Sequence, residues 1–155
     1  MIERNLTGVN WYQVTSTRIL LVDDNDAWLG VISGILKESP RWRVVGEARD
    51  GFEAIQKAKL LRPDVILLDV GLPQLDGFQA ARQIRTACPT SRILFLTQFS
   101  APEAAELAVM LGATGYVLKS EAAVDLLPAL EAVAEGRTFV SRALGPGPHN
   151  RSRLN

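Results

Sequence analysis

The sequence predicts an α/β fold, a doubly wound five-stranded parallel sheet with helices on both faces, and three observations lead to it. Short apolar runs alternate with segments of helical period five times along the chain. The runs are continuous, as in Val65-Ile66-Leu67-Leu68, which marks strands buried on both faces. Acidic, hydroxyl and basic residues stand at the carboxyl ends of these runs, where an open α/β sheet binds its ligands.

Residues 1–16 carry no clear period and read as an N-terminal extension. The first strand, Arg18-Ile19-Leu20-Leu21-Val22, runs into Asp23-Asp24-Asn25. Asn25 or Asp26 then caps a helix with Trp28, Leu29, Ile32, Ile35 and Leu36 at helical spacing. Gly30 and Gly34 each cost this helix about 1 kcal/mol against alanine, so close packing of their face is expected. Pro40 ends it, and the more alternating Trp42-Arg43-Val44-Val45-Gly46 suits a sheet edge.

Asp50-Gly51 turns the chain into a helix of Phe52, Ile55, Ala58 and Leu61, and Pro63 resets it for the third strand. An amphipathic helix is expected from Gln74 to Ala87, closed by Pro89. After the fourth strand, Arg92-Ile93-Leu94-Phe95-Leu96, Ser100 is the expected cap and Pro102 lies in the first turn of a helix reaching Leu111. The fifth strand is Gly115-Tyr116-Val117-Leu118. A proline in mid-helix costs about 3 kcal/mol. The last helix is therefore expected to start with Asp125 as cap, which puts Pro128 in its first turn. The organisation expected is a domain over 17–140 and a flexible tail or truncated linker over 141–155.

Composition narrows the function. At 155 residues and 47% hydrophobic content the chain suffices for one domain with a real core. Lys plus Arg equal Asp plus Glu at 17 each, so no overall basic field gathers nucleic acid. No apolar stretch reaches membrane-spanning length and no signal-peptide pattern opens the chain, which places the expected protein in the cytoplasm with no membrane partner. A lone Cys88 agrees with a reducing compartment. His149 has no helical or metal-ligand context.

Chemistry concentrates at the strand ends. If the first and third strands are neighbours, Asp23, Asp24 and Asp69 converge, and two carboxylates about 5 Å apart repel by roughly 3 kcal/mol at an effective dielectric of about 20. A positive partner is required. A hard divalent cation such as Mg²⁺ answers that need, and so does a lysine such as Lys119, which ends the fifth run; Thr97 ends the fourth.

In their order, Asp23-Asp24, Asp69, Thr97 and Lys119 resemble the signature of the receiver domain of bacterial two-component response regulators. Leu72-Pro73, Asp76-Gly77, Gly112-Ala113 and Tyr116 support the resemblance, which covers residues 17–140. Val45-Gly46-Glu47-Ala48 and the segment Gly136 to Ser141 are similar to the NarL/LuxR type, which usually carries a C-terminal DNA-binding helix-turn-helix. The fold so implied is the flavodoxin-like (βα)5 receiver fold. The resemblance also implies that Asp69 accepts a phosphoryl group from the histidine of a sensor kinase or phosphotransfer protein. By the same resemblance Asp24, Asp69 and the Gly71 backbone carbonyl hold Mg²⁺, while Asp23 acts mostly through water. Lys119 pairs with Asp69 and then with the phosphoryl oxygen; Thr97 and Tyr116 form the switch.

Three residues depart from the family pattern: Gln98 and Phe99 follow Thr97, where smaller residues are usual, and Ser120 replaces a common proline. The alternative activity is an Mg²⁺-dependent phosphatase or hydrolase with an aspartate nucleophile. Such enzymes place a second acid two residues after the nucleophile, and here that position is Gly71. Residues 145–155 are rich in Gly and Pro, so the expectation for this chain alone is protein contact, including a phosphorylation-dependent homodimer, and no DNA binding.

Overall fold

The computed structural model describes residues 16–144, and within them the expected alternation of strand and helix is realised. The strands are β1 (Thr17–Val22), β2 (Trp42–Ala48), β3 (Val65–Leu68), β4 (Arg92–Thr97), β5 (Gly115–Leu118) and a short β6 (Phe139–Val140). The helices are α1 (Asp26–Leu36), α2 (Gly51–Leu61), α3 (Gly77–Ala87), α4 (Pro102–Met110) and α5 (Ala122–Ala134). All strand pairs are parallel, in the order β2-β1-β3-β4-β5-β6. The order reverses between β1 and β3, and a crevice for ligands opens at such a point.

Strand periodicity divides the core in two. Leu20, Val22, Ile66, Leu68, Ile93, Phe95 and Tyr116 pack against the side of α2, α3 and α4, whereas Ile19, Leu21, Val65, Leu67, Leu94 and Val117 meet α1 and α5. Both faces are buried, which is why these strands read as continuous apolar runs. The edge position of β2 is as expected from its alternating sequence.

Local chemistry sets the helix starts. Asn25, Asp50 and Asp76 each cap a helix by accepting from the backbone N–H three residues on, at 3.2, 2.8 and 2.9 Å. Asp76 thus starts α3 at Gly77 rather than at Gln74, whose φ of 69° lies in the left-handed region and cannot continue a right-handed helix. α4 has Ala101, not Ser100, at its N-cap, with Pro102 at the first helical position.

The start of α5 also differs from expectation. It begins at Ala122, after a 3₁₀ turn over Lys119–Glu121, so Pro128 lies in the helix interior. The missing proline N–H removes the bond to the Val124 carbonyl on a solvent-facing stretch, where both Pro128 and Val124 are exposed. Asp125, free of capping duty, accepts a hydrogen bond from the Ser141 hydroxyl at 2.9 Å. Gly30 and Gly34 lie on the exposed face of α1 with open space where a Cβ would stand, so they serve no close packing among the described residues.

The sixth strand adds to the five expected. Gly136, at φ 82°, lets the chain turn back after α5, and Phe139 and Ser141 donate backbone hydrogen bonds to Thr114, just before β5, and to Tyr116 on β5. Residues 141–144, expected to belong to the tail, are packed: Ser141 and Leu144 are buried. Residues 1–15 and 145–155, most of the expected extension and tail, lie outside the described residues.

Candidate functional site at the strand ends

Register brings the polar strand ends together. Val22 pairs with Leu68, so Asp23 and Asp69, one residue further along, lie side by side, and the Asp69 N–H donates to the Val22 carbonyl at 3.1 Å. Leu68 pairs with Phe95 and Thr97 with Leu118, which extends the row to Thr97 and Lys119. Carboxylate oxygens of Asp23, Asp24 and Asp69 lie within 4.8 Å of one another. Asp23 and Asp69 are buried and Asp24 is exposed.

Lys119 bridges the two buried acids, its Nζ standing 2.7 Å from Asp23 Oδ2 and 3.1 Å from Asp69 Oδ2. The remaining oxygens have backbone donors, Asn25 N–H to Asp23 Oδ1 at 2.9 Å and Gly71 N–H to Asp69 Oδ1 at 3.3 Å. Burial raises the Asp23 carboxyl above its ordinary pKa, and the Asp69 charge adds to this, against the lowering effect of Lys119 and the Asn25 N–H. For Lys119 burial acts downward, but the Asp23 hydrogen bond and the Asp69 charge outweigh it and hold the ammonium above its usual range. Burial thus dominates at Asp23, whereas its two anionic partners dominate at Lys119. Three carboxyl groups face one ammonium here, an excess of acidic ligands of the kind that holds a divalent cation.

Thr97 is fully buried and its hydroxyl oxygen accepts from the Phe99 N–H at 3.3 Å. Tyr116 is also fully buried, turned inward, with its hydroxyl donating to the Phe99 carbonyl at 2.8 Å. Burial, and secondarily the Asp69 charge, push its phenol up to about 12. Gly71 is exposed, and a Cβ placed there would come within 3.1 Å of the Phe99 ring. The bulky residue flagged after Thr97 therefore covers part of the crevice above Gly71.

The structure brings Asp23, Asp24, Asp69 and Lys119 together, and it links Thr97 and Tyr116 to each other through Phe99. Sequence reasoning missed the contact of Trp28 with Lys119, whose ammonium stands 5.2 Å from the centroid of the indole ring. The available signal was an aromatic in the first turn of a helix that starts straight after the acidic pair. It also missed Ser141, whose hydroxyl accepts from the Leu118 N–H at 3.0 Å, directly before Lys119.

Comparison with known proteins agrees with this geometry. Residues 19–131 match the family model of the response regulator receiver domain. The nitrate/nitrite response regulator protein NarL of Escherichia coli K12 is 35% identical over 128 residues, covering 83% of this chain and 59% of NarL. The chain thus spans little more than half the length of that relative. A two-component response regulator of the LuxR family from Aurantimonas superposes with a TM-score of 0.82 at 32% identity, covering 91% of this chain and all of the other. RcsB of Salmonella enterica serovar Typhimurium, solved bound to promoter P1flhDC with a phosphomimetic, gives a TM-score of 0.77 at 27% identity, covering 90% of this chain and 66% of RcsB. Receiver domains bind Mg²⁺ in an acidic pocket, and the three aspartates form one here. With the parallel sheet, the acidic crevice and the match over most of its length, the chain belongs to the response regulator receiver domains of two-component systems.

Proposed function

We propose that Asp69 is the phospho-acceptor of this receiver, taking its phosphoryl group from the histidine of a sensor kinase or phosphotransfer protein. The observation that supports it best is the placement of Asp69 beside Asp23 and in contact with Lys119 at the carboxyl end of the central strand β3. Asp24, Asp69 and the Gly71 carbonyl would hold Mg²⁺ directly, with Asp23 acting mostly through water. The chemistry such an ion supplies when bound is cancellation of charge between an anionic donor and an anionic nucleophile.

The chain's own groups do the rest. Lys119 restrains the Asp69 carboxylate and offers its ammonium to a phosphoryl oxygen. The Thr97 hydroxyl turns toward the phosphoryl group, and Tyr116 responds through the backbone of Phe99, altering the surface of α4, β5 and α5. A phosphoryl group shifts this equilibrium only by its different contacts in the two states.

The chain so read is a regulatory phospho-acceptor rather than an enzyme acting on an external substrate. By itself it works in the cytoplasm through protein contacts, including phosphorylation-dependent self-association, and not by binding DNA. Its formal net charge of zero supports that, and no helix among the described residues is long and apolar enough to cross a membrane. Intact-mass measurement after exposure to acetyl phosphate and Mg²⁺ tests the central claim. One phosphoryl group is expected on the parent and none on Asp69→Asn; equal labelling of the two overturns the assignment.

A further inference from the structure

The groups around Lys119 close a circuit. Asp23 Oδ1 accepts from the Asn25 backbone N–H at 2.9 Å, and Asn25 Oδ1 accepts from the Trp28 backbone N–H at 3.2 Å. The Trp28 ring lies 5.2 Å from the Lys119 ammonium, which returns to Asp23 Oδ2 at 2.7 Å. The same short segment that presents the acidic pair therefore also places an indole against the cation. Trp28 is half-buried and packs against the α1–α5 side of the core, and the Lys119 side chain is only 9% exposed.

We infer that Trp28 is a positioning residue for phosphoryl transfer, its indole face holding the Lys119 ammonium in place while the anion that the ammonium faces changes from the Asp69 carboxylate to the incoming phosphoryl group. This rests on the reading of Asp69 as acceptor. With acetyl phosphate as donor, an Asp69 oxygen forms a bond to phosphorus, the bond from phosphorus to the acetyl oxygen breaks, and acetate leaves with its electron pair. The Asp69 carboxylate loses its charge as the acyl phosphate forms, acetate carries one negative charge away, and the phosphoryl oxygens, which keep the charge they brought, become the anion that Lys119 faces. Lys119 must follow by a short displacement. Asp23, a fixed anion, resists that movement, and water would draw the ammonium outward. A ring face attracts a cation across its whole area without fixing the direction of any N–H bond, so the ammonium stays confined while its hydrogen bonds exchange.

Pre-steady-state labelling with acetyl phosphate at saturating Mg²⁺ tests this on the parent, Trp28→Leu and Trp28→Phe. Losing the ring is expected to lower the maximal labelling rate of Trp28→Leu about fivefold to tenfold. Half-saturation by donor and the affinity for Mg²⁺ stay as in the parent, and Trp28→Phe recovers most of the rate. Parent-like rates in Trp28→Leu overturn the inference, as do equal losses in both variants or a parallel loss of Mg²⁺ affinity, which would make the role merely structural. Should Trp28→Leu not fold, the parent carries the test. Its Trp28 indole N–H resonance, assigned by its absence from Trp28→Phe, is expected to move on phosphorylation, and a resonance that stays put overturns the inference. A parent that takes no label overturns the reading of Asp69 and this inference with it, whereas a labelled parent with an equally fast Trp28→Leu removes only the role of Trp28.

Discussion

The Tyr116 hydroxyl donates to the Phe99 backbone carbonyl at 2.8 Å, tying β5 to the loop that follows β4. That loop follows Thr97, whose hydroxyl oxygen accepts from the Phe99 N–H, so one residue carries contacts to both members of the expected switch. Phe99 is the physical link between them.

Tyr116→Phe is expected to cost about 0.5–1.5 kcal/mol, the net worth of one hydrogen bond, in urea denaturation. The variant also has a distinct pH signature. The folded pKa of about 12 lies above the ordinary 10.0, so the folded state holds the phenolic proton more tightly. The stability this contributes is complete below pH 10 and is lost as pH rises through about 12. An alkaline ultraviolet titration should lose its step near 12 in Tyr116→Phe.

Asp24 and Asp23 should differ in their effect on Mg²⁺. Both oxygens of Asp23 are engaged, by Lys119 and by the Asn25 N–H, whereas Asp24 is exposed at the mouth of the cluster. Asp24→Ala is expected to weaken Mg²⁺ binding about tenfold or more, and by more than Asp23→Ala does. Titrating the ion against tryptophan fluorescence measures this, and a tighter-binding Asp24→Ala than Asp23→Ala would exclude the proposed ligand set.

Gly77 opens α3 directly against the chain leaving β3, and an added Cβ would lie 2.0 Å from the Asp69 carbonyl oxygen. Gly77→Ala must push backbone against backbone, so a loss of about 1–3 kcal/mol or more is expected in denaturant unfolding. Labelling of Asp69 should slow with it.

Ser141 joins β5, α5 and the chain beyond β6, accepting from the buried Leu118 N–H and donating to Asp125. Ser141→Ala leaves that N–H without its partner at a cost of about 1–3 kcal/mol. Amide exchange should show Leu118 losing protection while β1 and β3 keep theirs.

Pro128 interrupts the hydrogen-bond ladder of α5 on an exposed face. Pro128→Ala restores one bond and is expected to stabilise the domain by about 1–3 kcal/mol, read as a shift of the urea midpoint without change of slope.

The sequence by itself determined the parallel α/β sheet and the set of polar strand ends. Continuous apolar runs such as Val65 to Leu68 leave strands no exposed face, and Asp23, Asp69, Thr97 and Lys119 stand one residue past such runs, so register alone gathers them. Tertiary structure decided what periodicity cannot encode. β6 has two residues, too few to show a period, and forms because Gly136 turns the chain back onto β5. Pro128 entered a helix interior because the 3₁₀ turn after Lys119 leads straight into α5, and the broken bond faces solvent. Gly30 and Gly34 gave the same sequence signal whether packed or open, and only the placement of α1 put them outward. The pairing of Trp28 with Lys119 joins residues on α1 and at the end of β5. No local pattern specifies it, because it depends on the helix lying where the lysine emerges.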